Sequence, residues 1–340
     1  MKPSIFDMDI GKDPDDTCVA VIIGLDVDRY NPALIITNDE TQTQGRARFL
    51  SKVIEGTGAK IPIATGLPST AKREDTLVER MGLIPKEGGD FIQNGIAYLT
   101  DVLASNEKVN YFGLGALTNL ATVLRKYPEF AEKINLIQMG PSFQGTYRKP
   151  APQYNVRIDI SSFKKVLSQV DNPKFLMSHA SWGTFGEKGT RQQLGVYVDD
   201  PVCKSLKDNS NPALNLFAEH IRIWKEDGKS CSIMHDPLTV LSFYEDLVDY
   251  FDGKILFDKN GFADLTEKEK VRTLNSKRLV KLNNYLEMQT PERDGLVKDI
   301  SFSLNTDYDS ARHSIVKALF GSIHPNLANQ WKEYNSQRTD

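Results

Sequence analysis

Short apolar runs alternate along the chain with segments whose apolar residues recur at helical spacing, beginning with PSIFDMD and then DDTCVAVIIGLDV. PALIIT, KIPIAT, KVNYFGLG, KINLIQMG and KFLMSH read as further strands. GRARFLSKVIEGTG, FIQNGIAYLTDVLAS, LTNLATVLRKY and ISSFKKVLSQV read as the helices between them; glycine ends the first and proline follows the third. This alternation predicts a single doubly wound, mostly parallel α/β sheet flanked by helices. From about Gly183 the pattern turns mainly helical, in PALNLFAEHIRIWKED and DPLTVLSFYEDLV, and ARHSIVKALFG closes the fold. Between about 250 and 300, GKILFD and VKDISFSLN are candidates for late strands, and TEKEKVRTLNSKRLVKLNN is a charged, solvated segment. No composition shift forces a cut, so residues 1–325 are expected as one domain and 326–340 as a C-terminal tail.

The first strand runs straight into a crowd of like charge: Asp7, Asp9, Asp13, Asp15 and Asp16 lie within ten residues. A single aspartate there would be a turn or a helix cap. Five together repel one another unless they stay in water or share a cation, because buried unpaired anions are too costly. In open α/β sheets ligands bind beyond the carboxyl ends of the strands. The residues that follow the other strands, Asn38, Asp39 and Glu40, then Gly115 and Thr118, then Met139 and Gly140, are therefore candidates for the same rim. An EF-hand is excluded, because counting from Asp7 puts Gly11, Lys12 and Cys18 at the loop positions where a ligand, glycine and glutamate are needed.

Composition narrows the class. The formal net charge of −3 offers no basic surplus for nucleic-acid phosphates, so a small ligand is the expected partner, with neither nucleic acid nor membrane. No stretch approaches the roughly 18 apolar residues of a membrane span. Cys18, Cys203 and Cys231 have no metal-ligand spacing and read as reduced thiols, which together with the lack of an apolar signal core leads us to expect a cytoplasmic protein.

IFDMD is similar to the first half of the haloacid-dehalogenase phosphatase motif, but Ile10, Gly11 and the following DPDD depart from the rest of it. The whole stretch resembles more closely the N-terminal signature of the inosine-uridine-preferring nucleoside hydrolase family: a strand, an Asp-x-Asp pair, a glycine and a following Asp-Asp. LGALTNLATVLRKYP, IQMGPSFQG, PAPQYNVRIDISS and IMHDPLTVL resemble further segments of that family in the right order, over roughly residues 3–245. The resemblance implies a homo-oligomeric enzyme, dimer or tetramer, that hydrolyses the N-glycosidic bond of a ribonucleoside with the help of Ca2+. By the same resemblance, Asp9, Asp16, Asp236 and the Thr118 carbonyl would hold the ion, and Asp9 would be the general base. Asp15, Asn38 and Asn155 would bind the ribose hydroxyls, and His235 would assist the leaving base. Met139, Gln153 and Asp236 would also line the sugar site, and His220 and Trp224, with Phe217, Tyr147 and Trp182, are candidates to meet the base.

The chain departs from the family pattern in two informative places. The loop before Asp15 and Asp16 is two residues longer than the shorter family form, and Gln153 stands where the family usually carries a glutamate for the 5′-hydroxyl. With Arg148, Lys149 and Arg157 nearby, a neutral Gln153 leads us to expect tolerance of a 5′-phosphate. Two other classes predict different behaviour: a phosphatase would use Asp7 as a covalent nucleophile, and a non-catalytic nucleoside or calcium-binding protein would keep the carboxylates without turnover.

Overall fold

The computed structural model describes residues 1–69, 76–84, 88–143, 152–182, 194–265, 295–322 and 324–338. The chain opens with β1 (Ser4–Met8), α1 (Asp15–Leu25), α2 (Val27–Tyr30), β2 (Pro32–Thr37), α3 (Gly45–Thr57), β3 (Ile63–Ala64), α4 (Leu77–Arg80) and α5 (Gly95–Ser105). It continues through β4 (Val109–Gly113), α6 (Thr118–Lys126), a 3-10 turn (Pro128–Lys133), β5 (Ile134–Met139), α7 (Tyr154–Arg157), α8 (Ile160–Leu167), β6 (Lys174–Leu176) and α9 (His179–Trp182). The remainder comprises β7 (Gly195–Val196), α10 (Pro201–Lys207), α11 (Pro212–Glu226), β8 (Ser232–Ile233), α12 (His235–Tyr244), β9 (Val248–Asp258), β10 (Ala263–Leu265), β11 (Gly295–Thr306), α13 (Tyr308–Phe320) and α14 (Leu327–Ser336).

The main sheet has the order β10-β9-β11-β6-β5-β4-β1-β2-β3. From β6 to β3 every pairing is parallel, and β11 joins β6 in parallel, so the mostly parallel sheet expected from the sequence is present. The candidate strands of 250–300 are both real but longer than expected: β9 and β11 pair antiparallel along almost their whole length. The charged segment at 266–284 lies outside the described residues. The winding direction reverses at β1, which has β2 on one side and β4 on the other. That is the switch point where such sheets leave a crevice for a ligand.

Alternation along β1 decides what goes where. Phe6 and Met8 face one core, with α1, α3, α11, α12 and α13 around them; Ile5 faces the other, under α5, α6 and α8. Helix α1 has no polar stripe beyond its first two residues, and accordingly everything from Asp15 to Gly24 is buried, with α3, α11, α12 and α13 packed around it. Gly58, at φ +79°, closes α3 in the left-handed conformation that the terminal glycine of GRARFLSKVIEGTG foretells.

The C-terminal segment is docked on the fold. Residues 326–340 were expected as a tail, but α14 packs on α10 and α13 and buries Trp331 completely. A lone indole in a polar stretch, NQWKEYNSQ, gives too weak a period to reveal a docked helix. Trp331→Ala should therefore cost about 3–5 kcal/mol of stability. Thermal and urea unfolding measure this directly, and a loss near zero would mean the segment is dispensable.

Candidate active site

Three turns carry carboxylates to the rim at the end of β1. Asp9 follows the strand directly. Gly11 then turns the chain at φ +104°, with Val78 so near that a Cβ at Gly11 would come within 3.1 Å of its Cγ2. Arg46, itself buried, clamps this turn by donating through Nη1 to the Ile10 carbonyl (2.8 Å), through Nε to the Asp39 carbonyl (2.9 Å) and through Nη2 to the Asp39 carboxylate (3.1 Å). Asp15 and Asp16 then open α1, where the helix N-terminus favours negative charge. Asp236 sits in the first turn of α12 and donates its backbone N–H to Asp15 Oδ2 at 3.4 Å.

Asp15, Asp16 and Asp236 are all buried and bring one carboxylate oxygen each within 4.8 Å of the others. Burial first, then the neighbouring charges, pushes all three carboxyls well above the ordinary carboxylate range. Asp13, drawn out of solvent and accepting a hydrogen bond from the Ser232 hydroxyl, is raised to about 6, and Asp9 adds its field to every one of them. Among the described residues Asp16 Oδ1 is buried with no hydrogen-bond partner. A buried carboxyl oxygen without a hydrogen-bond donor can be satisfied by a cation, which would also hold the group ionised. The donors on hand are hard carboxylate oxygens plus the carbonyl end of β4, a set that suits Ca2+ or Mg2+ and not a thiophilic metal.

The cavity above this floor has a volume of about 270 Å³ and is lined by Asp9, Lys12, Asp13, Asp15, Asp16, Leu114, Met139, Gln153, Tyr154, Asn155, Trp224, His235 and Asp236. It thus assembles Asp9, Asp15, Asp16, Met139, Gln153, Asn155, Trp224, His235 and Asp236 from the candidates read in the sequence. Asn155 Nδ2 donates to the Leu114 carbonyl at 2.7 Å, and Gln153 caps α7 by accepting from the Val156 N–H at 3.3 Å. His235 is bound through Nδ1 to the Ser181 hydroxyl, and desolvation lowers its pKa to about 3, so the imidazole is neutral near pH 7.

Four candidates lie elsewhere. Thr118 uses its hydroxyl on Asp159 (2.8 Å), and its carbonyl accepts from Thr122 Oγ1 (2.8 Å); Leu114, four residues earlier, is the residue of this stretch that lines the cavity. Asn38 is a scaffold residue: it donates to Asp7 Oδ1 at 2.8 Å and accepts from the Ala116 N–H at 3.3 Å. His220 is a core histidine, bonded through Nδ1 to the Thr17 hydroxyl (2.8 Å), set edge-on to Phe49 and lowered to about 3 by burial; Phe217 is likewise core. Tyr147, Arg148, Lys149 and the Trp182 side chain lie outside the described residues. Asp7, the phosphatase nucleophile of the alternative reading, is fully buried and held by Tyr111, Asn38 and Asn119, with burial raising its pKa to about 7.

The family profile for inosine-uridine preferring nucleoside hydrolases matches residues 4–291. The chain belongs to that family. Members hydrolyse the N-glycosidic bond of ribonucleosides and are metal-dependent, and this protein is such an enzyme, with an aspartate cluster able to hold a metal ion. The inosine-uridine preferring nucleoside hydrolase from Bacillus anthracis shares the fold at 14% identity, with a TM-score of 0.65 over 94% of this chain and 99% of that one. A plant nucleoside hydrolase (16% identity, TM-score 0.63, 99% and 100% covered) and the purine-preferring ribonucleoside hydrolase from Gardnerella vaginalis (13%, 0.62, 97% and 100%) are similarly alike. No curated protein sequence matches the chain. Among the described residues no helix is long and apolar enough to cross a membrane.

The cluster gives the enzyme a testable pH signature. A carboxyl whose pKa is raised by folding stabilises the native state fully below its ordinary value of 3.8, and that contribution is lost as pH climbs through the raised value. In chelator the melting temperature should therefore fall as pH rises above about 4 and through the raised Asp13 value of about 6, while saturating Ca2+ should cancel or reverse the fall by binding the ionised form. Melts across that range with and without Ca2+ read the difference; parallel slopes would show that no cation engages these carboxyls.

Proposed function

We propose that the enzyme is a calcium-dependent ribonucleoside hydrolase in which Asp9 is the general base. The observation that carries this reading is the partnerless, buried Asp16 oxygen amid Asp15 and Asp236 at the sheet's switch point. The ligands are drawn from Asp9, Asp15, Asp16, Asp236 and, in place of Thr118, the Leu114 carbonyl. When bound, the ion neutralises the floor, makes an adjacent water more acidic and offers coordination places to the ribose diol.

The side chains supply the rest. Asp9 lines the cavity outside the buried trio, where it can take the proton of the water that attacks C1′. Asp15 and Asn155 bind the ribose hydroxyls, and Met139 lies against the sugar. The transition state is electron-poor at C1′, so the excess of carboxylates around it is stabilising. His235, held at Nδ1 by the Ser181 hydroxyl, and Trp224 both line the cavity, and the neutral imidazole is the group offered to a leaving-base nitrogen. Lys12 lines the cavity with Gln153 and sets its Nζ 4.8 Å from the ring centre of the neighbouring Tyr154, whose ring also carries the Arg157 guanidinium at 5.4 Å. This supports acceptance of a 5′-phosphate.

Asp9→Asn should lower kcat by at least about 10²–10⁴-fold in a protein that melts normally, and near-normal turnover would remove Asp9 from the role. His235→Ala should slow inosine far more than a nucleoside analogue with a good leaving group, as steady-state comparison of the two will show; equal losses would deny it contact with the base. Gln153→Glu should depress kcat/KM for a 5′-monophosphate selectively over its nucleoside. A wild-type enzyme that clearly prefers the bare nucleoside would leave position 153 without a part in specificity.

A further inference from the structure

We propose that Trp331 and Asn335, on the C-terminal helix α14, are positioning residues for the corner of the active site formed by His235 and Asp236. Both side chains are buried and both donate to one acceptor, the Gly195 carbonyl, Trp331 through Nε1 at 2.7 Å and Asn335 through Nδ2 at 3.1 Å. Gly195 belongs to β7, whose antiparallel partner β8 places Ile233 opposite it. Two residues after Ile233 comes His235. The neighbouring peptide ties the same corner a second time: the Leu194 carbonyl accepts from the Met234 N–H (2.9 Å), and the Leu194 N–H donates to the Ser181 carbonyl (3.2 Å). Ser181 is the residue whose hydroxyl holds His235.

This two-residue-long ladder is too short to hold its own register. What immobilises it is the pair of donors arriving from α14, itself anchored on α10 and α13. The segment thus fixed carries three contacts to the cavity: Ser232 donates to Asp13, the Cys231 carbonyl accepts from Trp224 Nε1 (2.9 Å), and the Asp236 N–H reaches Asp15. A helix with no residue in the site therefore sets where Asp236 stands relative to the carboxylates of α1. The consequence for turnover rests on the hydrolase reading above; the consequence for the position of the segment does not.

The test compares the double variant Trp331→Phe/Asn335→Ala, which deletes both donors while keeping a ring in the core, with Arg338→Ala. Arg338 pairs with Asp199 and stacks on Tyr197 and Tyr334 near the end of the same helix, without touching Gly195. Hydrogen exchange followed by mass spectrometry should show faster exchange at Ser232–Asp236 in the double variant alone, with weaker Ca2+ binding by calorimetry and kcat for inosine lower by about ten- to a hundredfold, the size that misplacement of about 1 Å can produce. Asn335→Ala alone, which keeps the indole, reads the same quantities if the double variant does not fold. Unchanged exchange at Ser232–Asp236 in a folded variant overturns the proposal, and so does equal acceleration in Arg338→Ala, which would mean that any loosening of α14 suffices. Should the wild-type protein bind no Ca2+ or hydrolyse no nucleoside, the exchange data, which need no ligand, still decide the positioning claim.

Discussion

Repulsion among buried carboxylates is the constraint on which the rest of this structure depends. Oxygens of Asp15, Asp16 and Asp236 lie no more than 4.8 Å apart, so each fully ionised pair costs at least about 3 kcal/mol even at an effective dielectric of roughly 20. Three such pairs approach the whole stability of a domain, about 5–15 kcal/mol. The fold tolerates them only with protons or a cation in place. The surrounding elements nevertheless spend their hydrogen bonds on holding the acids together: Arg46 clamps the loop before them, the start of α1 presents two, and α12 brings the third across with its backbone N–H aimed at Asp15. A sequence selected for stability alone would not retain that arrangement; one selected to bind a hard cation at a crevice would.

Much of this was legible in the sequence because the signals were local. The aspartate cluster, the histidine-aspartate pair and the glutamine-asparagine pair each sit within a few residues of a strand or helix end, and a parallel sheet brings such ends to one rim. The two-state alternation of apolar runs likewise predicted every strand from β1 to β6, though β3 shrank to two residues. What the sequence did not show was longer in range or finer in register. Leu114 follows β4 and Thr118 opens α6 four residues later, and only the three-dimensional path shows that Leu114 is the one lining the cavity. His220 shares a helix with Trp224, yet one side chain faces Thr17 and the other the cavity, a difference of one turn that the aromatic pattern of α11 does not encode. Asn38 looked like a ribose ligand because it follows β2; instead it helps Tyr111 and Asn119 surround Asp7. Lys12 and Tyr154 were missed altogether, since a lysine and a tyrosine far apart in sequence give no pattern until the loops meet.

Family membership and site geometry answer different questions. The family assigns the class of reaction, and the geometry gathers acids, two amides, a methionine and a neutral histidine held by a serine around one cavity. Positive charge is present on both sides of this arrangement, Arg46 beside the carboxylates and Lys12 over the Tyr154 ring.

The claim that the aspartate cluster is a cation site is tested most directly by calorimetric titration of metal-stripped protein with Ca2+ in two buffers of different ionisation enthalpy. Because the carboxyls of Asp15, Asp16 and Asp236 are held well above their ordinary range, a cation that binds them must displace protons, and the difference between the two heats counts those protons. The account predicts saturable binding of one ion per chain with net proton release that diminishes as pH rises. Absence of binding, or binding with no proton release at any pH, would contradict it.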